Sequence, residues 1–142
     1  MLKITVKDKN NKKVVRTILK MLPTVNIFLF NGRLGAGKTT LIKEIAKSLK
    51  IKEPLTSPTF ILWQKYIFRF KNKTRFFNHL DLYRIYARDL KKINFLPELN
   101  DKRNYFFIEW GFKLKKFLKN RNIKFQEILI NKTKNGRVFI IK

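Results

Sequence analysis

The sequence contains no cysteine and a single histidine, His79. It therefore cannot form a disulfide, a thiolate metal site or a metal centre with several histidine ligands. No apolar run approaches the roughly 20 residues that a membrane helix requires, and the first residues, MLKITVKDKNNKK, lack the apolar segment of a secretion signal. We expect a cytoplasmic protein that does not enter a membrane, folded as one domain over residues 1–142.

Acidic residues are also scarce. The chain has nine aspartates and glutamates but 34 lysines and arginines, which gives a formal net charge of +25. Such a charge favours binding to polyanions, and at low salt the chain is expected to bind RNA without sequence preference. The basic residues are nevertheless spread along the whole chain, which is rich in Lys, Asn, Ile and Phe, the residues of A/T-rich codons. Composition alone leaves two interpretations open, a coding bias and a selected polyanion-binding surface.

The spacing of apolar residues predicts alternating strands and helices. Residues 25–30 form an apolar run broken only by Asn26, which is typical of a strand buried on both faces. After Lys38, apolar residues recur at the spacing of an amphipathic helix as far as Leu49. Further strands are predicted at 60–70, 75–82, 105–109, 124–130 and 137–141, and short helices at 12–21, 87–93 and 112–119.

The segments 60–70 and 75–82 are so close in the chain that they are expected to pair as an antiparallel hairpin. Elsewhere strands alternate with helices, as they do in parallel sheets. The pattern therefore predicts an α/β fold, a three-layer sandwich of the P-loop NTPase type with a mixed central sheet.

The chain has only five glycines, yet three of them fall within the six positions 32–37. Residues 32–39, GRLGAGKT, match the phosphate-binding loop pattern G-x-x-x-x-G-K-[ST]. Glycines let the backbone turn tightly and direct successive N–H groups at an anion. In that pattern Lys38 reaches the β- and γ-phosphates and the Thr39 hydroxyl is a ligand of Mg²⁺. The alternative is an ordinary glycine-rich turn, but the strand before it and the helix after it favour a site for ATP and Mg²⁺.

A phosphate loop also requires a carboxylate for the metal ion. Two acidic residues end strand-like segments, where the ligand sites of α/β sheets open: Glu109 after 105–108 and Asp81 after 76–80. We expect Glu109 to serve Mg²⁺, directly or through a water, and Asp81 to orient or deprotonate the attacking water. The alternative for Asp81 is an ordinary carboxylate in a turn at the end of a strand.

Two further features allow more than one interpretation. The stretch TSPTF, 56–60, lies where nucleotide-dependent switch loops occur, although a plain loop before a strand would look the same. His79 lies two residues before Asp81 on the same face of a strand, and a structural role is favoured over a catalytic one.

Four segments together resemble the TsaE family: GRLGAGKTT (32–40), SPTF (57–60), HLDLYR (79–84) and IEWG (108–111). This family consists of small bacterial ATPases required for threonylcarbamoyl modification of adenosine in tRNA, and the similarity extends over residues 25–115. The resemblance implies a mixed sheet between helices, and action with a heterodimer of TsaB and TsaD. It also implies that Asp81 supports hydrolysis and that Thr39 and Glu109 serve Mg²⁺, while the ATP phosphates are held by Leu34, Gly35, Ala36, Gly37, Lys38, Thr39 and Thr40.

The chain departs from this family at two positions. Arg33 stands where an acidic residue is usual, and Gly111 follows Glu109 and Trp110 where proline is common. Two other functions remain open at this point, a small P-loop kinase acting on a metabolite and an RNA-binding protein gated by ATP. Contact with tRNA is expected to be weak or indirect.

Overall fold

The computed structural model of the protein describes residues 1–7, 10–55, 63–85, 88–89 and 95–142. Within these ranges the chain forms seven strands and four α-helices. No helix in them is long and apolar enough to cross a membrane. In chain order the elements are β1 (Leu2–Lys7), α1 (Lys12–Met21), β2 (Ile27–Asn31), α2 (Lys38–Ser48), β3 (Trp63–Phe70), β4 (Lys73–Asp81), α3 (Phe95–Asn100), β5 (Asn104–Glu109), α4 (Lys115–Lys119), β6 (Gln126–Thr133) and β7 (Gly136–Ile141).

The strands form one mixed sheet in the order β1-β7-β6-β2-β5-β4-β3. The central strand β2 is parallel to both β5 and β6, and β4 is parallel to β5. The pairs β3–β4, β6–β7 and β1–β7 are antiparallel. This arrangement confirms the predicted α/β fold, its mixed central sheet and the antiparallel hairpin.

Side chains of β2 alternate between the two faces of the sheet, and all five of its residues are buried. Phe28 belongs to the core beneath α1 and α2, where its ring stacks on that of Phe107 with centroids 5.3 Å apart. Leu29 belongs to the opposite core, which α3 and α4 cover. Ile27–Phe30 are apolar, as burial on both faces of a sheet favours, and only the last residue of the strand, Asn31, is polar.

Most predicted elements are present with shifted ends. The helix predicted at 12–21 is α1, and the one at 112–119 is a 3₁₀ helix, Gly111–Leu114, that continues into α4. The structure adds β1 and α3, which were not predicted. The predicted switch loop at 56–60, the first residues of the strand at 60–70 and most of the helix at 87–93 lie outside the described residues.

Candidate functional site

The loop between β2 and α2 has the backbone that its glycines predict. Gly35 (φ +74°) and Gly37 (φ +103°) lie in the left-handed region, which side chains with a Cβ rarely adopt. The N–H of Ala36 donates to the carbonyl of Arg33 at 3.0 Å, which closes the turn. Gly37 is the N-cap of α2, so the first N–H groups of that helix face the loop, as an anion site requires.

The Lys38 side chain lies inside this loop and is only 4% exposed. Its Nζ donates to the carbonyls of Gly32 (2.9 Å) and Arg33 (3.1 Å) and lies 4.0 Å from the ring centroid of Trp110. Burial lowers the pKa of Lys38, while the charges of Glu109 and Asp81 act in the opposite direction. The loop therefore already holds a positive charge where the sequence predicts a phosphate-binding ammonium.

Glu109 is buried at the end of β5 and connects two of the predicted site residues. Its Oε1 accepts a hydrogen bond from the Thr39 hydroxyl at 2.7 Å. The same oxygen lies 2.9 Å from Nε2 of His79, which is fully buried. A histidine ring in this position orients the carboxylate, which agrees with the structural role favoured for His79. Its second nitrogen, Nδ1, has no hydrogen-bond partner among the described residues.

Asp81 ends β4 and is paired in register with Glu109 of β5. Its Oδ1 accepts the N–H of Tyr83 at 2.9 Å. Burial raises the pKa of Asp81, and the neighbouring charge of Glu109 acts in the same direction, whereas the Tyr83 N–H opposes it. A carboxylate with a raised pKa is a better proton acceptor than an exposed one.

These side chains share one cavity of about 440 Å³. Every residue predicted for the site lines it except Ala36, which is buried behind the loop. The lining residues are Leu34, Gly35, Gly37, Lys38, Thr39, Thr40, Asp81, Tyr83, Arg84, Glu109, Trp110 and Arg137.

Arg137 lines the cavity although no sequence motif indicated it. It comes from β7, and its Nε donates to the carbonyl of Ala36 at 2.7 Å. The guanidinium lies against Gly37 so closely that a Cβ there would be 2.9 Å from Nε. No local pattern marked Arg137, because 101 residues separate it from Ala36 and the order of the strands brings the two together.

Trp110 belongs to the IEWG segment and lines the same cavity. Its backbone is left-handed (φ +57°, ψ +33°), which is unusual for a bulky residue. Its N–H donates to the carbonyl of Phe30, and its ring lies 5.0 Å from that of Tyr83 at the cavity. This strained conformation places an aromatic wall beside Lys38, as strain at functional sites commonly does.

The donors in the cavity fit a magnesium ion that a nucleotide helps to hold. In the part of the chain that the structure describes, no cluster of three or more His, Cys, Asp or Glu side chains could hold a metal ion unaided. Mg²⁺ in nucleotide sites needs no such cluster, because it takes one or two protein oxygens, the substrate phosphates and waters. The adjacent oxygens of Thr39 and Glu109 are a suitable pair.

Comparison with known proteins shows the family of this chain. The sequence model of the family described as "Threonylcarbamoyl adenosine biosynthesis protein TsaE" matches residues 5–138. The chain belongs to the TsaE family.

Three relatives bear the name "tRNA threonylcarbamoyladenosine biosynthesis protein TsaE". The one from Nostoc sp. PCC 7120 is 37% identical over 95 residues, which cover 66% of this chain and 56% of the relative. The one from Aquifex aeolicus is 38% identical over 80 residues, 55% of this chain and 57% of the relative. The one from Rickettsia prowazekii is 38% identical over 117 residues, 77% of this chain and 76% of the relative. The chain thus spans little more than half the length of the first two TsaE proteins.

The two departures from the TsaE pattern have different surroundings. The Arg33 side chain is exposed and lines a neighbouring cavity with the end of β6, whereas its carbonyl binds Lys38. At Gly111 a Cβ would lie 2.7 Å from Cβ and 2.8 Å from Cα of Leu29, so this position needs glycine because β2 passes so near. The structure does not explain why this TsaE chain carries an arginine at position 33.

Proposed function

We propose that the protein is a Mg²⁺-dependent P-loop ATPase required for forming the threonylcarbamoyl group on adenosine 37 of tRNAs that read codons beginning with adenine. We propose further that it acts together with a TsaB–TsaD heterodimer in the cytoplasm. The observation that carries the proposal is the convergence of Lys38, Thr39, Glu109 and Asp81 on one cavity beside a glycine-rich loop. Membership of the TsaE family supplies the reaction in which such a site would act.

Residues 34–40 would bind the ATP phosphates. The loop offers backbone N–H groups and the start of α2, and a helix N-terminus attracts anions. Lys38 would exchange its bonds to the carbonyls of Gly32 and Arg33 for phosphate oxygens, and a partly dry site strengthens such a charge interaction. Arg137, which rests on Ala36, adds a second positive charge to the same wall.

Thr39 and Glu109 would hold the Mg²⁺ ion. When bound, the ion neutralises negative charge on the β- and γ-phosphates. His79 fixes the Glu109 carboxylate through the 2.9 Å contact at Oε1. Asp81, one strand away, would accept a hydrogen bond from the attacking water and orient it toward the phosphate.

Hydrolysis by the isolated protein is expected to be slow. P-loop enzymes gain several orders of magnitude in rate from an arginine that reaches the transferred phosphate, which a partner often supplies. In this cavity Arg137 is already bonded to the Ala36 carbonyl, and Arg84 is exposed. We therefore propose that the heterodimer stimulates turnover, and that ATP in return changes affinity for the heterodimer by the same factor.

The deciding experiment measures ATP hydrolysis by the protein alone, with the heterodimer, and with the heterodimer and tRNA. We expect slow turnover alone, stimulation by the heterodimer, and loss of multiple-turnover threonylcarbamoyl adenosine formation when the protein is omitted. Full modification without the protein, or hydrolysis indifferent to the heterodimer, would contradict the proposal. Phosphate transfer from ATP to a compound in a metabolite mixture would instead favour a kinase.

A further inference from the structure

The outer face of α1 carries a row of positive charges. Lys12, Arg16 and Lys20 recur every four residues, so they share one face of the helix over about 12 Å at 1.5 Å per residue. All three are exposed, because the apolar side chains of α1 point into the core on the opposite face. The helix contains no acidic residue.

This row borders a groove of about 660 Å³ between α1 and the end of β1. Five of the described residues that line it are basic and none is acidic, while Asp8 and Lys9 lie outside the described residues. Neutral hydrogen-bonding side chains lie among the charges. The lining residues are Thr5, Val6, Lys7, Asn10, Lys12, Lys13, Arg16, Thr17 and Lys20.

Carboxylates on other parts of the surface pair with lysines and arginines. Lys65 pairs with Glu98 at 2.8 Å, Arg103 with Asp101 at 2.8 Å, and Lys115 with Glu127 at 2.7 Å.

Glu44 of α2 lines a neighbouring cavity together with Lys12 and Arg16, and it accepts a hydrogen bond from Asn11. The segment 7–20 thus brings five basic residues to one groove, and no described acidic residue lines it.

We propose that this α1 groove binds the phosphodiester backbone of RNA. Lysine and arginine side chains interspersed with Asn and Thr are the groups that contact phosphates without reading sequence. No aromatic residue lines the groove among the residues described, so it offers no surface for stacking bases. A membrane surface is less suitable, since a membrane-binding helix needs an apolar face to insert and that of α1 is buried.

Binding at the α1 groove goes beyond the proposed ATPase activity and requires neither ATP nor the heterodimer. It rests on the proposed function only in naming tRNA as the RNA. The groove would hold tRNA on a surface separate from the candidate ATP cavity, since no described residue lines both.

The test compares two variants that lose the same charge. In the first, Lys12, Arg16 and Lys20 are replaced by glutamine. In the control, Arg69, Lys71 and Lys73 are replaced by glutamine; these exposed residues lie at the β3–β4 hairpin, at the opposite edge of the sheet. Affinity for labelled tRNA is measured by fluorescence anisotropy over a range of KCl concentrations, without nucleotide, with single-stranded RNA and duplex DNA as further ligands.

We expect the α1 variant to reduce the magnitude of the slope of log K against log[salt] by about 2 to 3. It loses three charges, and each phosphate contact contributes about 0.7 to 0.9 to that magnitude. The control should keep most of the wild-type slope. A third variant, Lys12→Arg with Arg16→Lys and Lys20→Arg, keeps all three positive charges on altered side chains and should retain the wild-type affinity for tRNA. Circular dichroism checks that all variants are folded.

Equal losses in the α1 variant and the control would overturn the proposal, because net charge alone would then explain the binding. If the α1 variant kept its tRNA affinity but lost binding to anionic phospholipid vesicles, the RNA proposal would be wrong and the groove would instead bind membranes. Duplex DNA bound as tightly as tRNA, with the same loss in the α1 variant, would overturn the assignment to RNA. ATP hydrolysis by the α1 variant alone should equal that of wild type, so failure here is distinguishable from failure of the proposed ATPase.

Discussion

The hydroxyl of Thr39 and the carboxylate of Glu109 are hydrogen-bonded at 2.7 Å, although 70 residues separate them in the chain. One belongs to the first turn of α2 and the other to the end of β5. Parallel pairing of β2 with β5 brings these two ends together. The two side chains predicted to serve Mg²⁺ therefore meet at one edge of the sheet.

Replacing Thr39 by alanine should weaken binding of ATP in the presence of Mg²⁺ and change binding in EDTA much less. The reason is that the hydroxyl would contact the metal rather than the nucleotide. Thr39→Ser keeps the hydroxyl and is the matched control. Isothermal titration calorimetry with and without Mg²⁺ measures both affinities, and an unchanged Mg²⁺-dependent affinity in Thr39→Ala would refute the assignment.

Glu109→Gln should raise the Mg²⁺ concentration needed for half-maximal hydrolysis. Glutamine keeps an oxygen that can accept the Thr39 and His79 hydrogen bonds but lacks the charge that attracts the ion. Glu44→Gln, in α2 away from the cavity, is the control. A magnesium titration identical to that of wild type would show that Glu109 has only a structural role.

Lys38→Ala should abolish measurable hydrolysis and weaken ATP binding. It removes a buried positive charge from the loop, and loss of one such electrostatic group commonly costs about 10²–10³ in rate. Lys43→Ala, exposed on the same helix, controls for the loss of a lysine. Calorimetry and steady-state hydrolysis provide the readouts, and Mg·ATP affinity equal to wild type would contradict our interpretation of the loop.

Asp81→Asn should leave ATP affinity close to wild type and slow hydrolysis by about 10²–10³, the usual cost of one positioned group. Asparagine keeps the oxygen that accepts the Tyr83 N–H, so the turn after β4 should survive. The rate has to be measured with the heterodimer present. Normal hydrolysis by the variant would make Asp81 an ordinary carboxylate at the end of a strand.

A prediction about pH concerns Asp101, whose pKa the adjacent Arg103 lowers to about 2. Because the folded-state pKa lies below the ordinary value of 3.8, the contact stabilises the fold above that value. This contribution is lost as pH falls toward 2. NMR titration of the Asp101 carboxyl carbon should give this low midpoint, and Arg103→Ala should return it toward 3.8. A midpoint unaffected by that substitution would show that another group sets it.

The parts of the site that were predicted from the sequence depend on contiguous residues. The loop at 32–39 carries its glycines, lysine and threonine in one pattern, and the ends of β4 and β5 supply Asp81 and Glu109. Parallel strands bring such ends to one edge of a sheet, so their meeting could be anticipated. Arg137 could not, because the register of a hairpin near the end of the chain decides its position.

The two elements that were missed have related causes. The strand β1 is at the sheet edge, and only its alternate residues Ile4 and Val6 are buried, which leaves a weak hydrophobic signal. The helix α3 has six residues and contains Pro97, and packing of Phe95 and Leu99 on the core accounts for it better than helix propensity does. Tertiary contacts, which a single sequence does not display, define both elements.

The cavity groups already have partners within the protein: Lys38 has two carbonyls, Thr39 has Glu109, and Arg137 has Ala36. Under the proposed function, nucleotide binding would exchange these hydrogen bonds for new ones, and its free energy would be the difference between the two sets. The affinity for nucleotide should be modest for so many contacts. Release of the product would leave few polar groups of the site without a hydrogen-bond partner. If the proposed function is right, such a site would favour repeated binding and release of nucleotide over its storage.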